Sequence, residues 1–566
     1  MYLLNPAALS AFLFLLIYSL ISKEIMTKLF LHTSYYLILL MMIVWTIQAV
    51  LFLKAVNFSL KLLLKKHWAG ILIALVLTSL IFVSVQVGFK TLSDETNLLS
   101  VSMAMLTDKI SANYTMGKYY YGNFNPINSE LEKRPLAFPF LVSVLHAFTG
   151  FRYQNPFIFN FIIMFLFLSG VYIAARKFLD IPSSVAAMFF ILSYPVFSIF
   201  GTSGNFDFFN SVLFAVILAA VYYYLTNPSS SAFAFIFASL LVFANIRYES
   251  IFFLFFIPLL LCKAITKQHL KDNVWLFFIT PLVNLPYIWG RILRSDAYQN
   301  PEDVPLFSAV SFVKNIKIYF SNLVDLNYYL PYAGILSIIS LLIFAYLAVA
   351  LWPKRNQLQK QQKYFLLVLL ASVLAGTCIY FAHFFGDCTH PSSARFFITL
   401  SIALALGPIA LKIYKPQFMS GAALLITAVV FFLFYHPIAI EGRFLNSLKG
   451  NRTTYHCIDF LSKIGDKNVL VIAERPGQFT ALGYGAINFS YANKNSEQIL
   501  KEAARHLFSK IVVFQEIEYT NNNPIKKMAL PAGYRLDTLY DIQITATEFL
   551  RISEMEIPPE VKSKTK

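Results

Sequence analysis

The chain has 566 residues, of which 58% are hydrophobic, 17% aromatic and only 13% charged, with a formal net charge of +17. Soluble domains carry roughly 25% charged residues, so the composition excludes a disordered chain, a basic nucleic-acid-binding domain and an ordinary cytosolic enzyme. The mean hydropathy of +0.62 comes from long apolar blocks, and about 20 such residues cross the hydrocarbon layer as one helix.

In chain order, membrane spans are expected at about 3–22, 34–53, 68–89, 155–175, 182–200, 208–225, 232–247, 249–266, 274–290, 332–352, 364–385, 396–412 and 417–436. That predicts about 13 helices in an all-α transmembrane bundle. The first lacks a basic leading segment and a small-residue cleavage site, so it reads as a helix and not a signal peptide. Lys54–Lys66, Arg176 and Lys177, Lys263–Lys271, Lys354–Lys363, and Lys412 with Lys415 all fall on one side of this map. Basic loops face the cytoplasm, which predicts a cytoplasmic N-terminus and explains most of the basic excess.

The opposite side receives the outer loops 90–154 and 291–331. Within the first, Leu98–Ile110 is expected to lie along the membrane surface, and 134–150 to form a juxtamembrane or re-entrant helix. The membrane part is therefore read as 1–436. Residues 437–566 differ in texture: 468–473 and 511–514 are short apolar strands, 495–508 is helical, and 534–540 with 544–552 can close a hairpin. This predicts a small outer α/β domain.

Only 15 of the 29 acids precede Pro437, which makes their positions informative. Asp94 and Glu95 follow the third span at the outer boundary. Ser93 can cap the helix after them, with the acids favouring its dipole. A carboxylate at such a boundary can also act as a general base. Asp207 opens the sixth span at the same expected depth, as a cap or as a site residue. Arg247 and Glu249 occupy the next outer turn and can pair with each other. Arg134, Arg291, Arg294 and Arg395 are further cations on the outer face, where an anionic ligand or interfacial snorkelling can account for them. Tyr120 stands in a tyrosine-rich stretch that can stack on sugars or form an interfacial belt. His383, Asp387, Cys388 and His390 fit no metal-binding spacing, so no metal ligands are assigned. Cys388 and Cys457 share the expected outer side, where a disulfide can form. The chain carries no phosphate-binding glycine loop, dinucleotide fingerprint or Asp-x-Asp pair.

In order and sidedness, these residues resemble the GT-C class of integral-membrane glycosyltransferases, closest to the aminoarabinose transferase, protein O-mannosyltransferase and Rgt-like types. Asp94-Glu95 matches the acidic pair of the first outer loop. Arg134-Pro135-Leu136-Ala137-Phe138-Pro139 resembles the basic-Pro-Pro-Leu-aromatic segment after it, with Leu136 in place of the second proline and Arg134 in place of His or Lys. Asp207 matches an acid opening a later span, Asn245-Ile246-Arg247-Tyr248-Glu249 a Thr-Arg/Lys turn, and Arg395 an arginine starting a late helix. The likeness covers about residues 68–436.

The resemblance implies inverting transfer of a sugar from a polyprenyl-phosphate donor to a glycolipid, glycan or protein acceptor of the cell envelope, outside the cytoplasmic membrane. Asp94 would be the base, with Glu95 or Asp207 orienting substrate. Arg134, Arg247, Arg291, Arg294 and Arg395, with Tyr120, would bind the donor. No nucleotide and no nucleic acid are implied, and a divalent metal stays open. A transporter or flippase of lipid-linked sugars, or a non-catalytic assembly subunit, remains the alternative.

Overall fold

The computed structural model describes residues 21–120, 122–294, 305–324, 333–354, 357–387, 391–441, 449–520, 522–530 and 534–556. The chain divides into two compact units. Met1–Gly88, Lys133–Phe140 and Pro156–Phe444 make a helical unit; Phe89–Glu132, Leu141–Asn155 and Leu445–Lys566 make a unit built on a sheet.

The helical unit is a polytopic membrane bundle. Among the described residues, nine helices are long and apolar enough to cross a bilayer: Lys23–Ala55, Leu60–Ser84, Asn155–Ala175, Phe206–Thr226, Val274–Leu293, Gly334–Leu351, Lys360–Ala382, Ser392–Tyr414 and Gly421–Ile440. Polar caps start several of them. Ser22, Ser59 and Ser420 each accept a backbone N–H from the first turn. Inside the spans, hydroxyls such as Thr78 donate to the carbonyl four residues back, which satisfies them where water is absent. Packing leaves no slack at Gly70, where an added Cβ would lie 2.1 Å from the Tyr172 ring.

Four of the expected spans take another form or lie elsewhere. The segment 3–22 lies outside the described residues. The segment 182–200 forms two helices, Ile181–Leu192 and Pro195–Gly201, bent by 75°. Pro195 opens the second and has no N–H to continue the first. Ser230–Ala244 and Ile251–Leu261 have 15 and 11 residues. At 1.5 Å per residue they reach about 22 and 16 Å, short of the roughly 30 Å hydrocarbon layer. The polar turn Asn245–Ser250 between them ends both helices.

The second unit holds a seven-stranded sheet. Its strands are β1 (Ala112–Tyr120), β2 (Asn123–Leu131), β3 (Val469–Ile472), β4 (Gly485–Ile487), β5 (Lys510–Glu518), β6 (Arg535–Gln543) and β7 (Glu548–Glu556), in the order β2-β1-β4-β3-β5-β7-β6. The middle three, β4, β3 and β5, run parallel. The hairpins β1–β2 and β6–β7 are antiparallel and form the two edges. Leu470, Ile472, Ile487, Phe489, Ile511 and Val513 fill the core beneath helix Ser496–Ala504 and its neighbours.

The expected tail strands and closing hairpin are present. The sheet also takes β1 and β2 from the first outer loop, which the sequence reading assigned to the membrane part. β1 meets β4 through Gly117 opposite Ala486. A Cβ at Gly117 would lie 2.2 Å from the Phe124 ring, so only glycine fits. Gly122, with φ +81°, closes the hairpin in the left-handed region.

Candidate active site

The acidic pair lies in the sheet unit. Helix Leu92–Thr107 carries Asp94 and Glu95 in its first turn. Thr91 is the N-cap residue and makes no side-chain capping bond; Ser93, the expected cap, is already inside the helix. Glu95 does the capping. Its Oε1 accepts the N–H groups of Lys90 and Thr91, both at 2.6 Å, and the Thr91 hydroxyl at 3.2 Å. A carboxylate there satisfies orphan donors and complements the helix dipole.

Glu95 is fully buried, and Lys90 beside it is 1% exposed. Burial pulls the Lys90 ammonium down to about 8, while the Glu95 charge acts in the opposite sense. Tyr455 donates its hydroxyl to the Phe89 carbonyl at 2.8 Å. Burial, with the Glu95 charge adding to it, pushes that phenol up. Asp94, about 100° further round the helix, is only half-buried. The pair thus splits into one carboxylate that fixes the helix start and one that keeps access to solvent.

The second group lies in the helical unit. Asp207 sits in the first turn of Phe206–Thr226, where the Asn205 side chain accepts the Phe206 N–H. Arg247 pairs with Asp207, and its Nε donates to Glu249 Oε2 at 3.3 Å. Arg395 Nη1 is 3.7 Å from the other Asp207 oxygen. The Arg247 guanidinium is 4.8 Å from the Phe396 ring, 5.3 Å from Tyr380 and 5.5 Å from Phe206. Arg395 also faces Phe396, at 5.2 Å.

Two acids and two arginines make this cluster formally neutral. Buried ions persist only when paired and hydrogen-bonded, and the aromatic faces add cation–π attraction. Asp207 is enclosed, so its evident work is to hold Arg247 and Arg395. Arg395 keeps 16% side-chain exposure. A narrow crevice with a cavity volume of about 30 Å³ runs beside Glu249, Tyr380 and Phe396 and past the Ser250–Asn210 hydrogen bond of 2.8 Å.

Of the nine residues singled out by sequence, Asp207, Arg247 and Arg395 come together. Glu249 joins them through the expected pairing, and Tyr380 is a member the sequence reading did not single out. Arg134 is buried in a segment tied to the same turn, since the Ala137 N–H donates to the Asn245 carbonyl at 3.0 Å. Arg291 lies 5.4 Å from the Tyr248 ring. Arg294 is the C-cap residue of Val274–Leu293, where a cation complements the helix dipole.

Tyr120 lies elsewhere, in β1, with its hydroxyl donating to Glu502 at 3.0 Å. Lys118 reaches the other Glu502 oxygen at 2.8 Å, so Tyr120 is a contact of the sheet unit. Asp387 pairs with Lys314 at 3.3 Å, and the His383 ring packs 5.0 Å from those of Phe307 and Phe384. Cys388 and His390 lie outside the described residues. Among the described residues no three His, Cys, Asp or Glu side chains gather as a metal site.

Several solved structures are similar to the chain. The oligosaccharyltransferase AglB from Archaeoglobus fulgidus, in complex with an inhibitory peptide and a dolichol-phosphate, is 11% identical over 80% of this chain and 70% of its own, with a TM-score of 0.42. ArnT from Cupriavidus metallidurans, bound to undecaprenyl phosphate, is 11% identical over 87% of this chain and 98% of its own, with a TM-score of 0.40. No protein-family model matches the chain, and no curated protein matches it. Identity and overlap at this level do not assign the chain to a family.

Proposed function

We propose that this membrane protein is a glycosyltransferase that moves a sugar from a polyprenyl-phosphate-linked donor to a cell-envelope glycolipid, glycan or protein on the outer side of the cytoplasmic membrane. The observation that carries the reading is the division of labour in the acidic pair. Glu95 is buried on the backbone of Lys90 and Thr91, and Asp94 keeps solvent access at a fixed helix start. That suits a general base: a held position and a carboxylate that is only partly buried.

Asp94 takes the proton of the acceptor hydroxyl. The acceptor oxygen bonds to the anomeric carbon as the carbon–phosphate oxygen bond breaks, and the electron pair leaves with the polyprenyl phosphate. One displacement inverts the anomeric configuration. The centre gains oxocarbenium character, by analogy with glycoside hydrolysis, and the leaving phosphate gains charge that fixed cations stabilise. Arg291, Arg294 and Arg395 are assigned to that phosphate. Arg247, held by Asp207 and Glu249, acts as a positioning residue. Arg134 is assigned to the same cationic set, and no role in donor binding is kept for Tyr120.

The test is reconstitution in liposomes with radiolabelled polyprenyl-phosphate hexose, pentose and amino-sugar donors and envelope lipid extract, read by mass spectrometry of the products. A new glycosidic bond that depends on Asp94 supports the proposal. Movement of labelled donor across the bilayer with no new bond overturns it in favour of a flippase.

A further inference from the structure

The sheet unit contains a cleft that none of the roles above uses. It opens at the carboxyl ends of the parallel strands β3 and β5, between the loop Ala473–Arg475 that leaves β3 and residues Phe514 and Glu516 of β5. Parallel sheets place ligands at this end of their strands. The cleft has a cavity volume of about 210 Å³, below the roughly 300–1,000 Å³ of drug-sized ligand sites, which limits it to a small ligand. Its floor is apolar, with the rings of Phe479 and Phe514 5.3 Å apart and inclined at 30°.

Gln478 is the informative residue. It lines the cleft and is 8% exposed. Its Oε1 accepts the Thr454 hydroxyl at 3.0 Å, which orients the amide. The Nε2 donor on the other side has no hydrogen-bond partner among the described residues. That donor is not sealed from solvent, so a sugar oxygen placed there takes the position of a water. Around it stand the carboxylates of Glu474 and Glu516 and the guanidinium of Arg475. Two acids against one base disfavour an anion and suit a ligand rich in hydroxyl donors.

We infer that this cleft binds one sugar ring of a glycan, with an apolar ring face on the Phe479–Phe514 floor, ring hydroxyls donating to Glu474 and Glu516, and a sugar oxygen accepting from Gln478. The inference stands apart from the transfer reaction, because its readout is binding alone. It is tested on the full-length protein in nanodiscs by saturation-transfer NMR and titration calorimetry with maltotetraose, with a tetramer of glucosamine, and with inorganic phosphate. At least one tetrasaccharide binds saturably in the millimolar range, and phosphate does not compete. Gln478→Glu keeps the size and the Thr454 acceptor but removes the donor, and weakens binding about tenfold; Glu516→Gln weakens it as well. Asp94→Asn leaves binding intact, so loss of transfer and loss of binding are read separately. Absence of binding by both tetrasaccharides, equal binding to Gln478→Glu with an unchanged melting temperature, or binding of phosphate in their place overturns the inference.

Discussion

Neighbouring acids at 94 and 95 receive different assignments because a helix turns them to different surroundings. Asp94→Asn is expected to lower transfer by about 10²–10⁴-fold, the usual scale of a general base, with no change in thermal unfolding; full activity in that variant refutes the assignment. Glu95→Gln should do the reverse in kind. It loses charge-assisted bonds to two backbone N–H groups, at about 1.5–3 kcal/mol, and should lower the melting temperature of the purified protein. Arg247→Met leaves Asp207 enclosed beside its weaker 3.7 Å partner, and removing one member of a buried pair costs about 3–5 kcal/mol. The double variant Asp207→Asn with Arg247→Met should regain part of that loss, which a denaturation series on all three variants measures. His146 supplies a pH test. Ser102 and Asn155 lie 3.1 and 2.6 Å from its ring nitrogens, and burial lowers its pKa to about 4 from the ordinary value near 6.5. The unfolded chain therefore binds the proton more readily, so stability falls as pH drops from about 6.5 towards 4. Replacing His146 with Gln should flatten that part of the melting-temperature profile.

Elements were legible from sequence where one local signal decides them. Apolar blocks located the long helices because twenty consecutive apolar residues have few other uses. The apolar windows over 232–247 and 249–266 overstated two helices, because each ran into the polar turn that holds Arg247 and Glu249. The tail strands showed as apolar runs bounded by turn residues. The β1–β2 hairpin did not, because Asn123-Phe124-Asn125-Pro126 reads as a loop and a proline inside a strand argues against one. β2 can hold Pro126 because it is the edge of the sheet. The strand that pairs with β1 on its other side, β4, is far away in sequence, and no local pattern announces that pairing. The ionic cluster was half visible: its charged members stood out as rare charges between apolar spans, while Tyr380 and Phe396 were lost among many aromatics. Gly117→Val is expected to separate β1 from β2 by collision with Phe124. Limited proteolysis should then cut near residues 120–130 in the variant and spare the wild type.

For the whole molecule, loop charge gives a test of orientation that does not depend on activity. Tyr519→Cys, at a side chain 59% exposed, should react with an impermeant maleimide in intact spheroplasts, and Lys354→Cys only after permeabilisation; the opposite pattern reverses the proposed topology. The sheet also imposes an order on biosynthesis. Gly117 waits for Ala486, about 370 residues later, which is about 20–70 s of synthesis at about 5–20 residues per second. During that interval β1 presents an unpaired edge, the kind of surface that recruits other strands. A chain cut short before β4 therefore carries the β1–β2 hairpin without the strand that pairs with its β1 side.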